Sequence, residues 1–423
     1  MSKHAPRPED LEYLTEFDPK APDFMDHPWE FYCRLRETAP VFWDPRHEIF
    51  YVTSYELVDQ VLKNPELFSS RVDRLAMREG GVLPRVREIR AQGWQLALTM
   101  SANDAPSHEV YKALVSPFFT PQNLTRIEPF VRSKAGEQLS AVPRGEAFDF
   151  VTAVAVPLPI AVIGRHLGLS EYGDATLKMW SDAIADDLGL LASDERSVEA
   201  AELTLQCHRA IVAVCEARRQ EPRDDIASHL ANARIPGEDG ERSLDETELI
   251  SMLAQMLVAG NETTTNTLSS GIKRLALDEA LLPRLKAEPG LVRSFVEELL
   301  RLEAPVQGQF RQTNRATELG GVAIPEGALL HVRLASANRD ESIFGANSSV
   351  LNLEARPPAP HKSFGAGMHF CLGAMLSRME LNIVFTLIAD QFEQVALAVP
   401  AADLHYASQF HLRGLRSLPV IVS

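Results

Sequence analysis

A ten-residue stretch toward the end of the chain constrains it most: Phe364-Gly365-Ala366-Gly367-Met368-His369-Phe370-Cys371-Leu372-Gly373. Its glycines let the backbone bend sharply and approach a flat group closely. The run that follows, Ala374-Met375-Leu376-Ser377-Arg378-Met379-Glu380-Leu381, reads as helix, so Cys371 falls just before a helix N-terminus. Partial positive charge and free N–H groups at that end favour a thiolate, the form that ligates a metal. Taken alone, a cysteine in such a turn reads more readily as a buried structural residue. The rest of the chain decides between the two.

The remainder reads as mainly helical with small β-sheets. Residues 28–38 predict a helix entered at Pro28, followed by short strands at Val41 to Trp43 and Ile49 to Val52 with Arg46-His47 in the turn. Ser54 is the expected N-cap of a short helix reaching Lys63. From Pro121 to about Ala233 the pattern is almost all helical, with long helices at Ser170 to Leu188 and Asp194 to Arg219. Pro236-Gly237-Glu238-Asp239-Gly240 is a turn. Ser243 to Asp278 then reads as one helix of roughly 50 Å, opened by a Ser243/Glu246 capping box. Inside it stands Ala259-Gly260-Asn261-Glu262-Thr263-Thr264-Thr265-Asn266-Thr267. This is poor helix material, and threonine hydroxyls that bond back to the preceding turn bend a helix, so a local widening at Gly260 is expected.

Composition excludes several classes. A net charge of −16 argues against a nucleic-acid binder. The four cysteines, Cys33, Cys207, Cys215 and Cys371, show no Cys-x-x-Cys pair, which suits a reduced, cytoplasmic setting. Met1 to Asp18 is polar and predicts no signal peptide or anchor. The most apolar run, Val151 to Gly164, is too short to span a bilayer and holds Pro157 and Pro159. No membrane partner is expected.

The spacing Phe364-x-x-Gly367-x-His369-x-Cys371-x-Gly373 resembles the heme-binding loop of the cytochrome P-450 superfamily. The resemblance covers nearly the whole chain and is to the soluble bacterial type. It implies a single triangular helical domain around a buried heme: a β-rich part at about 40–70, a helical part at about 105–305 and the heme-binding loop 364–373. It implies that Cys371 is the axial ligand of a noncovalent heme b, whose thiolate favours O–O cleavage. Phe364 and Gly373 would pack around the sulfur, and His369 would reach a propionate. His108 and Lys112, at i and i+4, would face another propionate from one helix face. Lysine stands where the family commonly has arginine, and it cannot make arginine's bidentate pair. Arg311 resembles a further propionate-binding arginine.

The same resemblance makes Glu262 and Thr263 an acid–alcohol pair that delivers protons to O2. It makes Glu298-x-x-Arg301, with Arg339, a buried structural triad. Leu98, Met256, Ala259, Val306, Gln307 and Phe410 are the expected substrate pocket, with Gln255 a polar contact. Trp180, Leu190 and Leu191 are candidates from a mobile lid. The activity implied is a heme-thiolate monooxygenase that oxidises a hydrophobic small molecule with O2, fed from NAD(P)H through ferredoxin reductase and ferredoxin. Lys362 and Arg378 would receive the ferredoxin. A peroxide-driven peroxygenase and a non-enzymatic heme-based ligand binder are the alternatives.

Overall fold

The computed structural model describes residues 17–21, 23–72, 81–189, 191–354 and 359–423. Helices dominate, and the strands gather into small sheets. Val41–Asp44 pairs antiparallel with Ile49–Val52, which runs parallel to Leu329–Val332; Gln309–Thr313 and then Phe68–Ser69 complete five strands. Ile49–Val52 is buried at every position, as a strand with a parallel neighbour and covered faces must be. A three-stranded sheet joins Val395–Leu397, Pro419–Val422 and Ala147–Asp149. Two hairpins complete the sheets among the described residues.

The longest helix, Glu246–Leu277, is the axis of the molecule. Asp245 opens it, not Ser243: Asp245 Oδ1 accepts from the Glu248 N–H at 2.9 Å, and Glu248 Oε2 accepts from the Asp245 N–H at 2.8 Å. Ser243 lies in the exposed strand Gly240–Ser243 of a hairpin. The hairpin takes Ser243, which the helical pattern had claimed, and the capping box falls two residues later, at Asp245. Ser54 occupies the N-cap position of Tyr55–Leu62 without a side-chain bond; Asp340 Oδ2 accepts the Tyr55 N–H at 2.7 Å instead.

The expected widening at Gly260 is not there. The helix is α throughout, and the π-turn of this region lies at Val151–Ala155, on its neighbour. Thr265 Oγ1 donates to the carbonyl of Ala155 in that turn at 2.9 Å. Gly260 has a different role: a Cβ there would come within 2.7 Å of Ile163. Gly271, three turns further on, brings the helix against Phe385 of the helix Ala374–Gln391, where a Cβ would stand 2.2 Å from the ring. These close approaches press the long helix onto its neighbours on two sides. Cys207 and Cys215 are buried in the core, and burial pushes both thiols up to about 12. No helix among the described residues is long and apolar enough to cross a membrane.

Candidate active site

The cysteine loop is shaped by its glycines. Gly365 and Gly367 have φ of 71° and 67°, and a Cβ on Gly367 would meet the carbonyl of Leu62 at 2.7 Å. The chain therefore folds back, and the Cys371 N–H donates to the Phe364 carbonyl at 2.9 Å. Gly373 is the N-cap of Ala374–Gln391. Burial raises the Cys371 thiol, against the pull of the Gly373 N–H, the Arg378 and Lys112 charges and the Ala374 N–H. A cation bonded to the sulfur reverses that balance.

Cys371 faces a cavity of about 310 Å³ between the long helix and the cysteine loop. One end is basic. His108, Lys112, Arg311 and His369 all line it. The His108 and His369 rings lie 4.4 Å apart. Lys112 Nζ donates to the Met368 carbonyl at 2.6 Å, a contact with the loop that the sequence did not suggest. His369 Nε2 lies 3.0 Å from Ser70 Oγ, and Arg311 Nη1 donates to the Phe310 carbonyl at 2.7 Å. Burial, then Arg311 and His108, push His369 down to about 3. Burial and Lys112 lower His108, and burial lowers Lys112. The nearby acid, Asp104, is taken by Ser69 and by the Ser70 N–H. His108 Nδ1 is buried with no partner among the described residues. A cluster that suppresses its own positive charge, with a buried ring nitrogen unsatisfied, fits a group that brings two carboxylates. Phe364 lines the cavity beside the sulfur, with the Arg378 guanidinium 4.5 Å over its ring. The residues present fit a heme b.

The acid–alcohol pair divides between two spaces. Thr263 lines this cavity, and its hydroxyl donates to the Ala259 carbonyl at 2.9 Å. Glu262 lines a second, charged cavity of about 330 Å³ on another face of the same helix. There its Oε1 accepts from Lys178 Nζ and from Asn261 Nδ2, each at 3.2 Å, while Lys178 also holds Asp182. Burial pushes Glu262 up to about 7; Lys178 opposes and Asp182 adds to the rise. Neither Lys178 nor Asp182 was singled out from the sequence, since only packing brings them to Glu262.

Several expectations need correction. Of the substrate-pocket candidates, Met256, Ala259 and Val306 line the cavity, with Gln255 beside them. Leu98 does not; it is 52% exposed on the covering loop. Gln307 and Phe410 do not either. Gln307 is sealed in the core, accepting from the Tyr32 hydroxyl at 3.1 Å. Phe410 is buried in a stack on Phe310 with centroids 5.5 Å apart. Both belong to the strand-rich core behind the pocket, and spacing along the chain does not separate that core from the pocket wall. Trp180 packs against Tyr172, Leu191 against the core, and Leu190 lies outside the described residues. The structural triad is a pair among the described residues. Arg301 makes a bidentate bond to Glu298, both distances 2.7 Å, and the Asn352 N–H donates to Glu298. Arg339 lies elsewhere, donating to the Leu302 carbonyl at 2.8 Å, stacked on Trp29 and 3.9 Å from Glu303. Lys362 is no docking cation; it is buried against Asp59 and Tyr55. Arg378 is bound by Glu297 at 2.6 and 3.0 Å.

A family model described as Cytochrome P450 matches residues 174–398. The protein named Cytochrome P450 109 from Bacillus spizizenii is 32% identical over 401 residues, 94% of this chain and 92% of that protein. The chain belongs to the cytochrome P450 family. It is a heme b enzyme of the monooxygenase type with O2 as co-substrate. The Steroid C26-monooxygenase of Mycobacterium tuberculosis is 33% identical over 394 residues, covering 92% of this chain and 98% of that P450. Among solved structures, cytochrome P450 CREJ in complex with (4-ethylphenyl) dihydrogen phosphate superposes with a TM-score of 0.89 at 26% identity, covering 97% and 100% of the two chains. CYP109E1 from Bacillus megaterium, in complex with testosterone, gives 0.79 at 31% identity, covering 94% and 98%.

Proposed function

We propose that this P450 inserts one oxygen atom of O2 into an uncharged, hydrophobic small molecule, with electrons passed from NAD(P)H through a ferredoxin reductase and a ferredoxin. The observation that carries the reading is the division of the long helix: Thr263 faces the cavity of Cys371, and Glu262 faces a charged one. Heme b, when bound, supplies the redox-active iron at which O2 is reduced. Cys371 would hold it through sulfur, and His108, Lys112, Arg311 and His369 would hold its carboxylates.

The chain's own part is to manage protons and exclude water. A carboxyl with a pKa of about 7 both gives and takes a proton at neutral pH. Glu262 loads from the charged cavity, and a swing of its side chain past Lys178, or a water, carries the proton round the helix. A swing or a water is needed because adjacent helical residues face apart. Thr263, released from the Ala259 carbonyl, holds the accepting water on the other side. Met256, Ala259, Val306 and Ile163 give the space next to Thr263 an apolar wall, which favours an uncharged substrate. Gln255 is the polar contact on that wall. The relatives named for steroid and erythromycin oxidation are consistent with a polycyclic or macrocyclic substrate.

For the electron partner, the support is the surface beside Cys371, where Met375 is 45% exposed. Met375→Glu should slow reduction by ferredoxin and leave the heme spectrum unchanged; an unaltered reduction rate removes this face from the proposal. The test of the reaction itself is a screen of steroids, terpenoids and macrolides for a shift of the heme band. Turnover of the hits with NAD(P)H and ferredoxin is then compared with turnover on peroxide. Product with peroxide alone would replace the monooxygenase reading by the peroxygenase one.

A further inference from the structure

Arg333 has no part in the scheme above, and its surroundings are unusual. It follows the strand Leu329–Val332 and is 0% exposed. Four rings surround its guanidinium carbon: Tyr51 at 4.8 Å, Phe410 at 4.9 Å, Tyr32 at 5.6 Å and Phe24 at 6.0 Å. Nη1 donates to the Tyr32 hydroxyl and to the Phe410 carbonyl, each at 3.4 Å. Nε and Nη2 are buried with no hydrogen-bond partner among the described residues. These two atoms form the edge by which Arg301 holds Glu298 and Arg378 holds Glu297. Arg218, Arg301 and Arg413 are buried too, and each is paired with an acid. Arg333 meets only its two neutral acceptors among the described residues. Asp44, an acid whose charge reaches Tyr51, is held by Arg46 at 3.0 Å and by His47 at 3.1 Å. The Tyr51 hydroxyl is itself buried without a partner among the described residues. Burial raises it, against the pull of the Arg333 charge, so it keeps its proton and remains a donor.

A guanidinium does not deprotonate inside a protein, so the charge at Arg333 stays. Aromatic faces offset part of it, yet they leave two N–H groups of its edge without an acceptor. A water would accept from those N–H groups and bring no counter-charge. Burying a charge alone is far costlier than burying it with its counter-ion. We propose that Arg333 and Tyr51 hold a small inorganic anion, chloride, in the core behind the substrate cavity. Nε and Nη2 would donate to it side by side, as they do to a carboxylate, and the Tyr51 hydroxyl would donate from a third direction. Arg333, Tyr51 and Tyr32 are all 0% exposed, which suits a monatomic ion and not a phosphate or a carboxylate ligand. The ion is a structural support for the substrate wall. Arg333 holds the Tyr32 hydroxyl, which donates to Gln307 Oε1 at 3.1 Å, and Gln307 follows Val306 of the cavity lining.

The test uses the heme-loaded protein, dialysed into sodium gluconate and then returned to sodium chloride at the same ionic strength. Its melting temperature should be higher in chloride, by on the order of a few °C at saturation. Equal melting temperatures in the two salts overturn the proposal. Arg333→Met keeps an apolar stem and removes the charge, an exchange that a core tolerates. The variant should melt at the same temperature in both salts; a difference as large as the wild type's overturns the assignment to Arg333. Should Arg333→Met fail to fold, Tyr51→Phe removes one donor and leaves the charge. It is expected to raise the chloride concentration that gives half the stabilisation about tenfold, and an unchanged concentration counts against the site. Wild-type crystals grown in sodium bromide read the ion directly. An anomalous peak in contact with Nε and Nη2 is expected, and a water there, or no peak, overturns the proposal. Arg333 and Tyr51 do not line the Cys371 cavity, so none of these readouts depends on the reaction assigned above.

Discussion

Single side chains here carry consequences that their neighbours do not share. Thr263 holds its hydroxyl on the Ala259 carbonyl, so Thr263→Ala removes a hydrogen-bonding group from the cavity and little packing. Substrate binding should persist while peroxide released per electron rises; unchanged coupling would take Thr263 out of the proton path. Cys371→Ala should abolish the red-shifted carbon-monoxide band that thiolate ligation produces, which an absorption spectrum checks directly. Glu380 makes a stability prediction with a definite sign. Its carboxyl is raised from 4.5 to about 8 in the folded chain. Between those values the unfolded chain binds fewer protons than the folded one, so the wild type loses stability as pH rises from about 5 to 8. Glu380→Gln lacks this loss. Its melting temperature should gain on the wild type across that window, by a difference worth on the order of a few kcal/mol. A constant gap between the two melting curves would show that the acid is already ionised or paired.

At the scale of elements, the two contacts of the long helix are steric. Gly271→Ala would place a methyl 2.2 Å from the Phe385 ring and 2.8 Å from Leu299. Overpacking of this kind costs about 1–3 kcal/mol, and it pries the long helix from the helix that carries Ser377 and Glu380. Thermal melting and the heme-to-protein absorbance ratio should both fall. The existence of these helices was legible in the periodicity of their apolar residues, and their ends mostly in Pro, Asp and Gly signals. The misplaced start at Ser243 and the widening assigned to Gly260 share a cause. Both were judged from local composition, but a hairpin and a packing contact with Ile163 decided them. Glu380 had a local signal that went unused: it falls in the spacing Leu376, Glu380, Val384, an acid within the stripe that Leu376 and Val384 bury.

Across the whole molecule, distant segments are tied by buried charge. Arg301 reaches from Glu298 to the carbonyls of Asn338 and Ser348 at 2.9 and 2.5 Å, joining the helix Leu291–Leu302 to the chain that leads into the cysteine loop. Glu298→Gln leaves that guanidinium buried without its counter-charge, a loss of about 3–5 kcal/mol. Soluble expression and heme content should drop together, and a variant with normal heme content and melting temperature would refute the tie. By itself, the amino-acid sequence determined the family, the cysteine proposed to bond the heme iron, the mainly helical plan and the adjacent acid and alcohol. Each of these is written in residue spacing along one segment. Only the tertiary structure decided that Glu262 and Thr263 open onto different cavities, that Arg339 turns toward Glu303 and that Lys362 is buried. It alone also set an unpaired acid beside the cavity. Spacing along a helix says which residues share a face; which neighbour covers that face, and how completely water is shut out, depends on segments tens to hundreds of residues away.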